Sequence, residues 1–438
     1  MSQLIPTINT NTRKPFSSPT LKLPPLPNGE TYRFHTMLKP SGAMCNIDCD
    51  YCFYLHKQDL LQQADHPRMM DTVLSEHIRQ YIEVHQGNNE VTFTWQGGEP
   101  TIMGLAFFEK VIAIQNAYRP KNMQIYNDIQ TNGLLLDDKW CQFLKQHDFM
   151  VGISIDGDQD LHDIYRRTKN DKPTFNLVMK AVSLLKEYQI PFNVLCVVNR
   201  QNAKYPLEVY RFLRDKIKPR MIQFLAGVEP TNYHTQAPLL WQTDSLPIQQ
   251  DIIYQPINNN KYSKNNILEV AEWSVEPTDW GNFLSTIWSE WLANDFGKVF
   301  VDCFENTIAQ ALGHGYQKCT TAPICGKALA LEYNGDLYPC DHFAYPEYKL
   351  GNILENHEGN LAFSNKQQQF GYLKQSTLPN YCKQCQFLPL CYGDCPKDRF
   401  VKTPDGELGL NYLCQGFKIY YSKIIQDLPK VKEQLCYL

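Results

Sequence analysis

The chain has 438 residues, enough for two or three domains and a large buried core. Its 42 basic and 46 acidic residues leave a net charge of −4, which points away from nucleic-acid and anionic-membrane partners. No run of about 18 apolar residues occurs, so no helix is expected to span a bilayer.

Residues 1–30 are polar and proline-rich, with Pro6, Pro15, Pro19, Pro24, Pro25 and Pro27, and read as a flexible extended arm. They lack the apolar core of a secretory signal, which argues for a cytoplasmic protein. From 31 to 226, short β-rich runs alternate with amphipathic stretches. Strands are expected at 32–38, 91–95, 124–130, 151–155, 192–198 and 221–225. Helices are expected near 72–85, 105–118, 137–146, 174–188 and 205–216. Strand–helix alternation implies parallel strands with crossover helices, and six such units suit an α/β partial (β/α)6 TIM-like barrel. Chemistry in such barrels gathers at the C-terminal ends of the strands. Residues 227–318 open with a stretch dominated by Asn, Gln, Pro and Tyr that runs to about Leu268, either a lid over the barrel mouth or a solvated loop. An amphipathic helix at 280–296 follows, with Phe283, Ile287, Trp291 and Leu292 near one face as core residues. Residues 319–420 hold a second cysteine-rich region, and 421–438 form a tail.

Fifteen cysteines in a chain this long do not make a small disulfide scaffold; in a reducing compartment, clustered cysteines bind metal. Cys141, Cys196 and Cys303 read as small buried hydrophobes, and Cys436 lies in the tail. The others cluster. Cys45, Cys49 and Cys52, spaced C-x3-C-x2-C, fall in the loop after the first strand. A [4Fe–4S] cluster normally takes four thiolates, so three leave one iron open, and an open position separates a catalytic metal centre from a closed structural one. His35 and His56 are near in sequence, so the triplet alone also suits zinc.

Gly97, Gly98, Glu99 and Pro100 close the second strand. The glycines let a ligand approach the backbone, Glu99 supplies a carboxylate, and Pro100 fixes the turn. An ordinary strand-ending turn has the same composition. Gln130-Thr-Asn-Gly133 ends the third strand at the same mouth and also reads as a plain Asn-Gly turn. Ser154 ends the fourth strand and Arg166 follows; an arginine there suits a ligand carboxylate or a surface ion pair. The C-terminal set is Cys319, Cys325, Cys340, Cys382, Cys385, Cys391, Cys395 and Cys414. Its C-x2-C pair also occurs in zinc ribbons, so two zinc sites are the alternative; eight cysteines after an open-site triplet favour iron–sulfur.

The triplet, with aromatic Tyr51 before its third cysteine, resembles the radical S-adenosylmethionine (SAM) superfamily. The resemblance implies that SAM chelates the open iron through its amino and carboxylate groups. One electron then splits SAM to methionine and a 5′-deoxyadenosyl radical. It implies further that the Gly97–Pro100 element contacts the SAM amino group, that Ser154 touches its ribose or methionine moiety, and that Arg166 pairs with its carboxylate. The C-terminal layout resembles a SPASM domain. That implies two auxiliary [4Fe–4S] clusters, the nearer held by Cys319, Cys325, Cys340 and Cys395 and the farther by Cys382, Cys385, Cys391 and Cys414, for three clusters in all. Full thiolate ligation suits an electron carrier or a structural staple.

Trp95-Gln-Gly-Gly-Glu-Pro-Thr101, Cys45-Asn-Ile-Asp-Cys-Asp-Tyr-Cys-Phe-Tyr-Leu55 and Asn334-Gly-Asp-Leu-Tyr-Pro-Cys-Asp-His-Phe343 resemble anaerobic sulfatase-maturating enzymes. Leu350-Gly-Asn352, Cys395-Pro-Lys-Asp-Arg399 and Tyr412-Leu-Cys414 extend the resemblance, which covers about 32 to 420. It implies oxidation of a Cys or Ser in a Cys/Ser-x-Pro-x-Arg motif of an unfolded sulfatase polypeptide to Cα-formylglycine. An electron donor such as flavodoxin or ferredoxin would serve it. Asp341 is the expected base; because it follows Cys340, proton and electron could leave at one location. His342 is expected to pack beside it. Two rival readings are a SPASM maturase that crosslinks or epimerises a ribosomal peptide, and a non-catalytic zinc or iron–sulfur scaffold. The proline-rich arm and the polar stretch 231–266 depart from the family pattern.

Overall fold

The computed structural model describes residues 18–240, 246–255 and 269–436. The arm before residue 18, parts of the polar stretch at 241–245 and 256–268, and the tail residues 437–438 lie outside the described residues.

The strands of the first half are β1 (His35–Lys39), β2 (Ile47–Cys49), β3 (Glu90–Trp95), β4 (Gln124–Thr131), β5 (Met150–Ser154), β6 (Arg166–Thr168), β7 (Phe192–Val198) and β8 (Met221–Ala226). Six of them, β1, β3, β4, β5, β7 and β8, lie side by side in chain order, and every pairing is parallel. These are the six expected strands, and with the crossover helices they make the partial barrel. The first begins later than expected. Side chains rather than a ladder hold the chain before His35: Asn88 Nδ2 donates to the Tyr32 carbonyl at 3.2 Å, and Arg33 Nε donates to Asn88 Oδ1 at 2.9 Å.

A parallel pair, β9 (Ile253–Gln255) with β10 (Glu269–Ala271), stands apart. β11 (Phe300–Val301) then extends the barrel sheet beside β8. On the opposite edge β12 (Ala328–Glu332) pairs in parallel with β1, and β13 (Asp336–Tyr338) and β14 (Gly351–Asn352) continue antiparallel from it. The C-terminal region is therefore built onto the edge strand that carries the cysteine triplet.

Local sequence explains these elements. In β7, Phe192, Val194, Cys196 and Val198 alternate inward and are buried. The helix Phe175–Glu187 buries Val178, Ala181, Val182 and Leu185, the i, i+3, i+4, i+7 stripe of an amphipathic helix. Asp137 caps the helix Asp138–Gln146 by accepting from Trp140 N at 2.9 Å. The helix expected at 205–216 is α-helical over Pro206–Arg211, changes to a π turn over Phe212–Ile217, and stops at Lys218, whose φ is +53°. A short helix, Gln159–Tyr165, was not foreseen; Asp158 caps it.

The helix expected at 280–296 runs over Pro277–Asn294, and Phe283, Ile287, Trp291 and Leu292 are core residues. It packs on the long helix Cys414–Leu435 at a glycine-to-glycine contact. A Cβ on Gly281 would sit 2.5 Å from the Gly416 carbonyl oxygen, so only glycine allows this approach. Cys141 and Cys196 are fully buried, Cys303 is half-buried and Cys436 is exposed. Among the described residues no helix is long and apolar enough to cross a membrane.

Candidate active site

The cysteine triplet is pinned to the barrel mouth by main-chain bonds. β2, inside the triplet, pairs antiparallel with β6, and the register sets Cys49 opposite Arg166. Cys52 N donates to the Cys49 carbonyl at 2.9 Å. On the other side, Gly98 N donates to the Gly42 carbonyl at 2.8 Å and Glu99 N to the Met44 carbonyl at 2.9 Å. The closeness of this second contact is why residue 98 is glycine: a Cβ there would lie 2.0 Å from the Met44 carbonyl oxygen. Gly97 has φ of +122°, a conformation that also favours glycine. Pro100 begins a buried 3-10 turn, Pro100–Met103.

The Glu99 side chain faces the neighbouring strand end. Its Oε1 accepts from Thr101 N at 2.9 Å, Thr101 Oγ1 at 2.6 Å and Thr131 Oγ1 at 2.8 Å, and its Oε2 accepts from Asn132 N at 2.8 Å. Burial pushes the carboxyl pKa up, and these donors partly offset it. With both oxygens engaged, Glu99 locks the ends of β3 and β4 together. Asn132 completes the lock, donating through Nδ2 to Asn46 Oδ1 at 2.7 Å and to Cys45 Sγ at 3.6 Å. The sequence had left Gln130–Gly133 open to reading as a plain turn; the structure makes Asn132 a direct neighbour of the triplet.

A second residue that sequence reasoning passed over is Asp156. The Tyr51 hydroxyl donates to Asp156 Oδ2 and accepts from Arg166 Nη1 at 3.0 Å. Asp156 Oδ1 also accepts from Val197 N at 2.9 Å. Arg166 is 5% exposed and its Nε, buried, has no hydrogen-bond partner. The Ser154-Ile-Asp-Gly157 motif contains Asp156, but only its serine stood at an obvious strand end. Ser154 Oγ accepts from Gln130 Nε2 at 2.9 Å.

The residues fit an iron–sulfur cluster with one open iron. Cys45, Cys49 and Cys52 share one apolar cluster with Ile47, Tyr51, Tyr165, Ala271 and Trp273. Burial pushes the Cys45 thiol up to about 12 and raises Cys49 and Cys52 as well. Such thiols ionise only when a metal takes the proton's place, because a coordinating thiol is deprotonated outright.

The C-terminal cysteines separate into two sets. Cys382, Cys385, Cys391 and Cys414 line one cavity together with Phe387, Phe417 and Tyr421. Cys340 feels the charges of Cys395 and Cys319, and Cys395 that of Cys325. The two sets are linked by the Cys391–Cys395 loop, where Tyr392, Gly393 and Asp394 all have positive φ. Arg399, 1% exposed, braces that loop by donating to the carbonyls of Gly393, Lys374 and Tyr392. Lys374, equally buried, donates to the Cys319 carbonyl at 2.8 Å.

Asp341 sits where barrel and C-terminal region meet. Its Oδ2 lies 3.6 Å from Lys39 Nζ, at the end of β1, and its Oδ1 accepts from His342 N at 2.9 Å. Burial opposes its ionisation, but the Lys39 ammonium, His342 and these hydrogen bonds outweigh burial and hold the carboxyl below its ordinary value. The His342 ring packs edge-on against Phe53, next to Cys52, with centroids 4.8 Å apart, and its Nδ1 is 3.8 Å from Cys395 Sγ. Burial pushes its pKa down to about 4. Asp341 therefore lies between the loop of the triplet and the nearer C-terminal cysteines.

A partial barrel with an open-site cysteine triplet at its mouth, joined to a cysteine-rich C-terminal module, defines a radical SAM enzyme of the SPASM type. The radical SAM superfamily profile matches residues 40–213, and that of SPASM, an iron–sulfur cluster-binding domain, matches 319–386. The chain is 41% identical over 401 residues to the serine-type anaerobic sulfatase-maturating enzyme of Bacteroides thetaiotaomicron, covering 92% of each. It is 31% identical to the cysteine-type enzyme of Clostridium perfringens, over 91% of this chain and 98% of the relative. Native anSMEcpe, solved with bound AdoMet and the Cp18Cys peptide, superimposes with a TM-score of 0.75 at 30% identity, over 92% of this chain and 99% of that one. The chain belongs to the family of anaerobic sulfatase-maturating enzymes.

Proposed function

We propose that this chain oxidises a serine or cysteine of an unfolded sulfatase polypeptide to Cα-formylglycine without oxygen, and that serine is the preferred target. The observation that carries the reading is Asp341, half-buried and held ionised by Lys39 between the triplet loop and the nearer auxiliary cysteines. The preference for serine follows from the higher identity to a serine-type relative, 41% against 31% for the cysteine-type one.

Cys45, Cys49 and Cys52 would hold the SAM-binding cluster. Gly97, Gly98 and Pro100 shape the backbone beside it, and Tyr51, Ser154 and Arg166 flank the SAM side. When bound there, SAM and the reduced cluster supply a 5′-deoxyadenosyl radical able to take a hydrogen atom from the target Cβ. Asp341 Oδ then accepts the proton that the target must lose, and Lys39 keeps that oxygen unprotonated until it does so. Cys319, Cys325, Cys340 and Cys395 would hold the nearer auxiliary cluster, which would supply the acceptor for the electron the target loses with that proton, and Cys382, Cys385, Cys391 and Cys414 would hold the farther. A flavodoxin or ferredoxin is the proposed electron donor. A cytoplasmic setting suits a chain that keeps this many thiolates reduced and meets its target before folding.

The test is an anaerobic assay of reconstituted protein with SAM, a reductant and matched Ser-x-Pro-x-Arg and Cys-x-Pro-x-Arg peptides, read by mass spectrometry. Formylglycine and 5′-deoxyadenosine together, faster from the serine peptide, are expected. Deoxyadenosine with neither peptide changed would replace the reading with a crosslinking or epimerising one.

A further inference from the structure

Beside the triplet lies a group of side chains that maturation leaves without a task. His56 follows the triplet by four residues, Glu229 follows the C-terminal end of β8, and His234 closes the 3-10 turn Thr231–His234. Two segments, the one after the triplet and the one after β8, thus converge at the barrel mouth. The two imidazoles stack, with centroids 4.3 Å apart and planes 15° from parallel. Both turn an edge to the same carboxylate oxygen: His56 Nδ1 and His234 Nε2 are each 3.7 Å from Glu229 Oε1.

Glu229 is buried, the two histidines are half-buried, and part of their bonding capacity is idle. Glu229 is 3% exposed and its Oε1 has no hydrogen-bond partner; neither ring nitrogen of His56 has one either. A buried polar atom left unpaired costs about 1–3 kcal/mol, so the two that face one point, His56 Nδ1 and Glu229 Oε1, call for a missing occupant. Two imidazoles cannot supply it by charging themselves, because burial pushes the His56 pKa down to about 2 and lowers that of His234.

We propose that His56, Glu229 and His234 bind one divalent first-row cation of the zinc or ferrous class, at a site separate from the three cysteine sets. Two neutral imidazoles and a carboxylate are the donor set of such ions, whereas magnesium and calcium take oxygen ligands. Ligand atoms about 2.05 Å from a tetrahedral ion lie about 3.4 Å apart, so the 3.7 Å spacings need to close by a few tenths of an ångström, and the stacked rings must splay so that both lone pairs meet the ion. Three protein ligands leave a position for water or for a substrate oxygen or sulfur.

The charges around the site allow a cation. Lys57 and Lys397 are the ammonium groups that act on Glu229. Lys397 Nζ is paired with Asp398 Oδ1 at 2.5 Å. Lys57 Nζ lies 3.2 Å from the centroid of the Tyr345 ring and has no hydrogen-bond partner. Burial brings its pKa down to about 7, so a bound cation needs only to displace a proton that Lys57 holds weakly.

The experiment is a Co(II) titration of anaerobically reconstituted, desalted holoenzyme, followed by competition with Zn(II), with cluster iron and sulfide measured in parallel. Wild type should bind one cobalt per chain with ligand-field bands and no thiolate-to-cobalt charge transfer, and zinc should displace it. His234→Gln should weaken binding by roughly 10–100-fold and His56→Ala/His234→Ala should abolish it, with iron and sulfide unchanged. Equal binding in wild type and the double variant, no binding in wild type, or a charge-transfer band would each overturn the proposal. Because the readout is a metal count rather than turnover, its failure leaves the maturation reading standing, and the converse also holds.

Discussion

The barrel mouth and the seam between barrel and C-terminal region place their functional groups by different means. At the mouth, backbone does the positioning: β2 on β6, and residues 98–99 on residues 42–44. At the seam β12 pairs with β1, but the polar groups that meet there are isolated side chains from distant parts of the chain, as Lys39 meets Asp341 and Tyr54 meets Glu332. A backbone zipper needs glycine and strand pattern, which short windows of sequence display. A side-chain meeting needs the whole topology, which no window displays.

The largest effect should separate the two regions outright. Cys49→Ala should abolish SAM cleavage and remove about four irons per chain while the C-terminal cysteines keep theirs. Deoxyadenosine formation and iron content measure both, and loss of all iron would mean that the two regions do not assemble independently.

Asp341→Asn attacks the seam alone. Formylglycine formation should slow by roughly 10²–10⁴-fold, the usual contribution of a positioned base, while SAM cleavage and iron content stay near wild type. Near-normal peptide oxidation by this variant would remove Asp341 from the chemistry.

Gly98→Ala attacks the zipper. The added methyl would meet the Met44 carbonyl at 2.0 Å, so the segment before Cys45 must move. Displacing a positioned group by about 1 Å can cost about 10²-fold, and SAM cleavage should fall by roughly that factor with the auxiliary iron retained. Unchanged cleavage would show that the triplet loop tolerates the shift.

The same contrast explains what was legible in advance. All six barrel strands could be placed from alternation and spacing, because each is a local apolar run that must pair in parallel once helices intervene. The two auxiliary cysteine sets came from resemblance, and the structure brings the farther set around one cavity. Asp156 and Asn132 were hidden because Asp-Gly and Asn-Gly read first as turns; only the tertiary structure supplies Tyr51 to the one and Cys45 to the other. The pairing of β12 with β1 was also hidden, since nearly three hundred residues separate the strands.

Glu332 offers the subtlest test of the seam. It ends β12 in register with Lys39, is 2% exposed, and accepts from Tyr54 and, at 2.9 Å, from Gln63 Nε2. Burial pushes its pKa up to about 7, against the lowering effects of Tyr54 and Lys39. Between the ordinary glutamate value and about 7 the folded chain keeps a proton that the unfolded chain has lost, so stability falls as pH rises through that window. Glu332→Gln removes the titration and should flatten that part of the profile, a gain relative to wild type of roughly 1–3 kcal/mol between pH 5 and 8. The comparison is of slopes, because the amide also changes the bond to Gln63 at every pH. Apparent melting temperatures of the anaerobic proteins across that range measure it, and parallel profiles would show that Lys39 and Tyr54 already hold Glu332 ionised, making the seam a charged junction rather than a protonated one.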